Sequence, residues 1–342
     1  MCAGGRSALG SLDSYLHGRL ESVPLVEPLY LMSTSSPDRR SFLKTAALGL
    51  VAAGTLPPTL ATSAFAAGPD RGSSQEAPSI RTVIDAIIAE IGVEVPESTV
   101  DTVKSADPSV PVRGVATTFI ATCGVIEQAI ERNLNLIITH EPTFYNHRDE
   151  TSWLEGDAVY AYKRNLLEEN GIVVWRLHDL WHQWTPDPVT TEILNEIGWT
   201  EHTVEESAGF VSIEPVYLGR LARRIKHRLA LPTVRVAGDP DRTVRRVGML
   251  PGAMGGRRHI EFLGREDVDA LLVGEVPTWQ SPEYARDAAE AGRGRSIVEV
   301  GHQATEEAGM RYVVDWIDRR LRSVIGEVPV VHIPAGDPFF HV

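Results

Sequence analysis

Residues 134–142, LNLIITHEP, decide the fold. Leu134, Leu136, Ile137 and Ile138 make an apolar run without the polar alternation of a half-exposed strand, so both faces of this strand must be covered. The run ends on His140, Glu141 and Pro142, where chemistry can begin. Helical patterns flank it, CGVIEQAIERN at 123–133 and DAVYAYKRNLLEENG at 157–171. IVVWRLHD at 172–179 repeats the plan, an apolar strand running into His178 and Asp179, and GVATTF at 114–119 is strand-like too. Strands that alternate with helices predict βαβ units.

Toward the N-terminus, SIRTVIDAIIAEIG (79–92) puts Val83, Ile84, Ile87, Ile88 and Ile91 at helical spacing, with Ser79 as an N-cap. Residues 93–113, with Pro96, Pro108 and Pro111, read as an extended connection. Toward the C-terminus a helix at 189–198 and a polar connection around HTVEESAG (202–209) lead into a second alternating block. There 216–230 reads as helix, 233–238 and 244–250 as strands, 266–275 as a segment ending in a strand, and 281–292 as helix. SIVEVGH (296–302) is a strand, 305–321 a helix and PVVHI (329–333) a last strand. The fold class is α/β, with an N-terminal lobe at 79–205 and a C-terminal lobe at 206–342.

Ligands of α/β sheets collect at the carboxyl ends of strands. Three predicted strands deliver histidine and carboxylate there: His140 with Glu141, His178 with Asp179 and then His182, and His302 with Glu306 one turn on. Imidazole and carboxylate suit zinc, iron or manganese. Each piece also has a plainer reading, since His302 and Glu306 make a helical pair and Trp181 between His178 and His182 could belong to a core. Tyr145 and His147 follow the first strand end, and Glu275 closes LLVGE. These three are candidate cleft residues for orienting substrate or moving protons. The turn PGAMGG (251–256) lacks the Gly-Lys-Ser/Thr ending of a phosphate loop, and no G-x-G-x-x-G follows a strand, so nucleotide triphosphate and dinucleotide binding gain no support.

The whole chain carries 33 Lys and Arg against 46 Asp and Glu, a net charge of -13. That balance argues against a mainly electrostatic grip on nucleic acid or an anionic membrane, while leaving room for a local basic patch. Two cysteines, Cys2 and Cys123, are too few for a cysteine zinc site or a disulfide framework. Cys123, at the start of a helix, is expected to be buried. No Ser or Cys nucleophile with a partnered base is evident.

Residues 1–66 read as a leader. DRRSFLK (38–44) places Arg39 and Arg40 before Phe42-Leu43-Lys44, a small-residue apolar run follows at 45–54, and Ala64-Phe65-Ala66 is a small-x-small cleavage site. This is similar to a twin-arginine signal and implies export to the periplasm or exterior. Gly54, Pro57 and Pro58 break the run short of the roughly 20 apolar residues of a membrane span. Met32 is the more natural start of such a signal. Residues 67–78 form a Gly, Pro and Ser rich linker.

NLIITHEPTFY and GHQATEE resemble the His-His-Pro and Gly-His-x-x-Ser-Glu motifs of the NIF-three family of dinuclear-metal-centre proteins, also called GTP cyclohydrolase I type 2. VRRVGMLPGAMGG, DVDALLVGE and the terminal GDPFFHV are similar to further stretches of that family, in order across roughly 80–342. The resemblance implies two lobes with mixed sheets and a metal site at strand ends between them. It implies two divalent ions held by His140, Glu141 in place of the motif's second His, His182 in place of an Asp, His302 and Glu306. His178 then stands as a further ligand or, with Asp179, as a support for one. Ring-like homo-oligomers, hexamers among them, are also implied. The activity expected is hydrolysis of a small molecule by metal-activated water, cyclohydrolase-like by resemblance. The alternative is a non-catalytic metal-binding scaffold, metal carrier or interaction protein.

Overall fold

A computed structural model describes residues 77–205 and 209–342. The stretch read as a leader, 1–66, and the one read as a linker, 67–78, save its last two residues, lie outside the described residues. The strands are β1 (Val115–Thr118), β2 (Leu136–Thr139), β3 (Val173–Arg176), β4 (Thr203–Glu205), β5 (Phe210–Tyr217), β6 (Arg235–Ala237), β7 (Thr243–Leu250), β8 (Ala270–Val273), β9 (Ser296–Glu299) and β10 (Val330–His332). The helices are α1 (Ile80–Ile91), α2 (Cys123–Glu131), α3 (Ala158–Glu169), α4 (Asp179–Gln183), α5 (Pro188–Ile197), α6 (Leu218–Arg228), α7 (Gly256–Leu263), α8 (Ser281–Glu290), α9 (His302–Arg320) and α10 (Arg322–Ile325). This is a mixed α/β fold.

The first sheet is fully parallel, in the order β10-β1-β2-β3. Its strands are buried along their whole length, and the apolar runs explain how. Val115, Leu136, Ile138, Val173 and Trp175 face one way into a core with α1 and α9; Ala116, Ile137 and Val174 face the other, into a core with α2 and α3. α1 is the helix its spacing predicts. Ser79 accepts the Thr82 N–H as N-cap, Gly92 closes the helix at φ 70°, and Ile80, Val83, Ile84, Ile87 and Ile91 are buried. Each fully buried Ile or Val contributes about 1.5–3 kcal/mol relative to exposure.

The second sheet has six strands in the order β4-β5-β7-β8-β9-β6. β7, β8 and β9 are parallel, while the flanking pairs β4–β5, β5–β7 and β6–β9 are antiparallel. Antiparallel edges on a parallel centre make this sheet mixed. β10 returns to the first sheet beside β1, so that sheet is not contiguous in sequence.

Several boundaries differ from the sequence reading. β2 stops at Thr139 and β3 at Arg176, so His140 lies just past its strand and His178 caps α4. The polar connection read at 202–209 is followed by a full strand, β5, whose exposed residues and Pro215 hide its alternation. α7 follows the PGAMGG turn and has no counterpart in the sequence reading; it buries little beyond His259 and Leu263. Cys123 is the first residue of α2 but is partly exposed rather than buried. No helix among the described residues is long and apolar enough to cross a membrane.

Candidate metal centre

Parallel pairing of β2 and β3 puts the C-terminal ends of both strands at one edge. His140 follows β2 there, and His178 and His182 stand at the start and in the last turn of the short α4. The second sheet supplies the rest: β9 ends before Gly301, and α9 begins with His302, placing Glu306 one turn on. The three strand ends read as one edge therefore belong to two sheets, and α9 brings them together. The rings of His140, His178 and His182 lie 4.6–5.0 Å apart, centroid to centroid.

Each of four imidazoles has its Nδ1 against an oxygen. His140 Nδ1 donates to the Leu177 carbonyl at 3.0 Å. His178 Nδ1 lies 2.9 Å from Asp179 Oδ1, His182 Nδ1 3.4 Å from Asp187 Oδ2, and His302 Nδ1 3.4 Å from Glu275 Oε2. Such partners fix ring orientation and, in a neutral ring, leave Nε2 as the lone-pair nitrogen. The Nε2 atoms face two carboxylates: His140 reaches Glu306 at 3.5 Å, His302 reaches Glu306 at 3.0 Å and Glu141 at 3.7 Å, and His178 reaches Glu141 at 3.6 Å. Two triads, His140–His178–His182 and His140–Glu141–Glu306, bring potential ligand atoms within 4.8 Å of one another.

Electrostatics keep this cluster polarised. Burial pushes His140 down to about 3 and, with His182 beside it, His178 down to about 4, so both are neutral. Burial also raises Glu141 to about 7 against the pull of His302. For Glu306 burial acts upward, but His140, His302 and His182 outweigh it and hold the carboxyl at about 2. His302 is the mirror case: burial lowers it, yet Glu306, Glu141 and Glu275 carry it up to about 9. His182 is raised because Asp187 overcomes its burial.

Four residues that sequence reasoning did not single out hold the arrangement. Asp101 accepts the backbone N–H groups of His178, Asp179 and Leu180 at 2.8–3.0 Å, which caps α4 from a distant segment. Asp187 is the N-cap of α5 as well as the partner of His182; its Asp-Pro sequence signals the cap but not the imidazole. Arg176 is fully buried, donates to the carbonyls of His140 and His147 at 2.8 and 2.5 Å, and faces Glu141 at 3.5 Å. An arginine inside the apolar run IVVWR was the legible sign of a buried countercharge. Gly252 lies against the Glu306 carboxylate at φ +68°, and Thr305 accepts its N–H at 2.9 Å.

The three cleft candidates divide. Glu275 touches His302, though its side chain is 57% exposed. His147 is exposed at the rim, its ring 5.9 Å from that of His178. Tyr145, at φ 64°, is 51% exposed and packs under the Lys163 ammonium, 5.3 Å from its ring centre.

Comparison with known proteins adds kinship. A model of the Duf34/NIF3 (NGG1p interacting factor 3) family matches residues 102–338. The chain is 25% identical over 211 residues to a protein of Clostridium acetobutylicum named GTP cyclohydrolase 1 type 2 homolog, covering 58% of this chain and 74% of that one. A Pseudomonas aeruginosa protein of the same name is 24% identical over 218 residues, covering 61% and 81%. Among solved structures, a Bacillus cereus protein related to NIF3 superposes with a TM-score of 0.63 at 15% identity, over 78% of this chain and 100% of that one. This last likeness concerns the fold alone.

Proposed function

The chain belongs to the Duf34/NIF3 family, and we propose that it binds two divalent cations and acts as a metal-dependent hydrolase on a small molecule. The observation that carries this reading is the set of four imidazoles anchored through Nδ1 around two carboxylates. The residues fit cations on a further count: His140 Nε2 is fully buried with no hydrogen-bond partner, a lone pair whose burial is costly unless a cation or proton meets it. Burial keeps that nitrogen unprotonated. His140, Glu141, His182, His302 and Glu306 would hold the ions, with His178 as a further donor and Asp179, Asp187 and Glu275 orienting the imidazoles.

When bound by these residues, divalent cations would lower the pKa of a water toward neutrality and polarise the bond under attack. The protein's own contribution is the rest. Arg176 keeps a positive charge beside Glu141, and Phe119, edge-on to His302 at 5.2 Å, covers one side of the cluster. The relatives' name points to opening of a purine ring in GTP. An exported protein would seldom meet GTP, and export through the DRRSFLK leader is part of this proposal, so we assign the reaction class without that substrate. Homo-oligomerisation is likewise proposed on family grounds.

The test combines metal analysis of the purified protein with a screen of phosphoester, amide and cyclic amidine substrates. About two equivalents of divalent metal are expected, reduced in Glu141→Ala and in His182→Ala, with turnover abolished in His302→Ala. Equal metal content in all variants, or activity that survives His302→Ala, would end the reading. Full metal loading without turnover in the screen would favour the non-catalytic scaffold, a role that the deep burial of His140 and Glu306 also suits.

A further inference from the structure

Helix α6, LGRLARRIKHR, is the one strongly cationic element among the described residues of an acidic chain: it holds Arg220, Arg223, Arg224, Lys226 and Arg228 and no carboxylate. Leu218, Leu221, Ala222 and Ile225 are buried against the core under β5 and β7. At about 100° per residue, Arg220, Arg223, Arg224, His227 and Arg228 share an arc of about 140° on the opposite side. All five are exposed. None of the five basic Lys and Arg side chains of the helix forms an ion pair with a carboxylate among the described residues, whereas Arg235, Arg246, Arg257, Arg286, Arg311, Arg320 and Arg322 elsewhere do.

Helix stability does not explain this face. Arg220 with Arg224, and Arg224 with Arg228, are like charges at i,i+4, which repel. Lys226, His227 and Arg228 complement the C-terminal end of the helix dipole, but Arg220 in the first turn opposes it. Among the described residues, therefore, this unfavourable charge meets no carboxylate that would compensate it. We propose that the exposed face of α6 is a docking surface for a linear phosphate polymer without bases.

The chemistry of the face selects that partner. Planar guanidinium forks pair with phosphate oxygens in a bidentate way, and the face presents four of them, Arg220, Arg223, Arg224 and Arg228. Arg220, Arg224 and Arg228 repeat about every 6 Å along the axis, a ladder that a flexible chain of phosphates can follow. The arc presents no apolar or aromatic anchor of the kind a protein interface centres on. It offers no aromatic track for stacking bases, although Tyr217 beside its N-terminus is exposed. Insertion into a bilayer needs a free apolar face, and that of α6 is spent on the core. The net charge of -13 repels polyanions elsewhere and confines them to this face.

The experiment titrates the full-length protein with long-chain inorganic polyphosphate between 50 and 300 mM salt, roughly the range over which phosphate contacts lose affinity. Binding is expected, with log K falling linearly in log salt. The triple variant Arg220→Gln, Arg224→Gln, Arg228→Gln is expected to bind at least about tenfold more weakly and to lose about two from the salt slope, at about 0.7 per phosphate contact. Its melting temperature should equal or exceed the wild type's, since repulsion is removed, and its metal content should not change. Absence of wild-type binding at 50 mM salt, or an unchanged variant, would overturn the proposal. So would tighter binding of single-stranded DNA or of phosphatidylglycerol vesicles in parallel titrations.

Discussion

At Gly252 the backbone turns through φ +68°, and a Cβ placed there would sit 2.1 Å from Glu306 Oε1. Gly252→Ala should therefore cost about 1–3 kcal/mol for the strained backbone and also displace the carboxylate, lowering metal content. Gly156, at φ +82° with nothing within 4 Å of a Cβ, is the control. Gly156→Ala should pay a comparable backbone cost and keep its metal, and equal metal content in the two variants would contradict this account. Lys163 is a second residue whose setting makes a prediction. Its ammonium is buried, donates to the Thr143 carbonyl at 2.6 Å, and is pushed by that burial down to about 8. A lysine whose folded value is depressed costs stability while charged, so the penalty is complete below pH 8 and fades as pH rises toward its ordinary 10.5. Relative to Lys163→Met, the wild type should gain on the order of 3 kcal/mol between pH 8 and 10.5 in denaturant unfolding, and little below pH 8. A flat difference across that range would refute the assignment.

At the scale of elements, the shortest one matters most to the site. α4 is five residues long, too short to hold itself in water, and it presents His182 while its N-cap presents His178. Asp101 stabilises it by taking three backbone N–H groups that would otherwise be orphaned. Asp101→Ala should cost about 3 kcal/mol and reduce metal content as well, whereas Asp101→Asn, which keeps one acceptor oxygen, should cost less. A change under about 0.5 kcal/mol would show that α4 is held by its packing alone. Apolar runs with both faces buried announced β1, β2 and β3, and the period of α1 and its Ser79 cap were legible because those signals are local. β5 and α7 were not, since each buries few residues and the rest face solvent as a loop would.

For the whole molecule, the decisive feature is α9. It leaves the second sheet at β9, packs on β1 and β10 of the first, and so delivers His302 and Glu306 to His140 across more than 160 residues of sequence. Export also belongs to this scale. Replacing Arg39 and Arg40 together by lysine should hold the protein in the cytoplasm, measured by fractionation, and unchanged secretion would refute the twin-arginine proposal. The amino-acid sequence names the side chains on offer: four histidines and their carboxylates at the ends of apolar strands, because strand burial and strand ends are written in local hydrophobic pattern. It also determined the acidity of the chain and the isolated cationic run of α6. Folding settles the rest: the strand ends come from two sheets, Asp101, Asp187 and Arg176 orient what they carry, and Gly252 leaves room for Glu306. Those relations depend on packing between segments far apart in the chain, where no local spacing records which side chain will meet which.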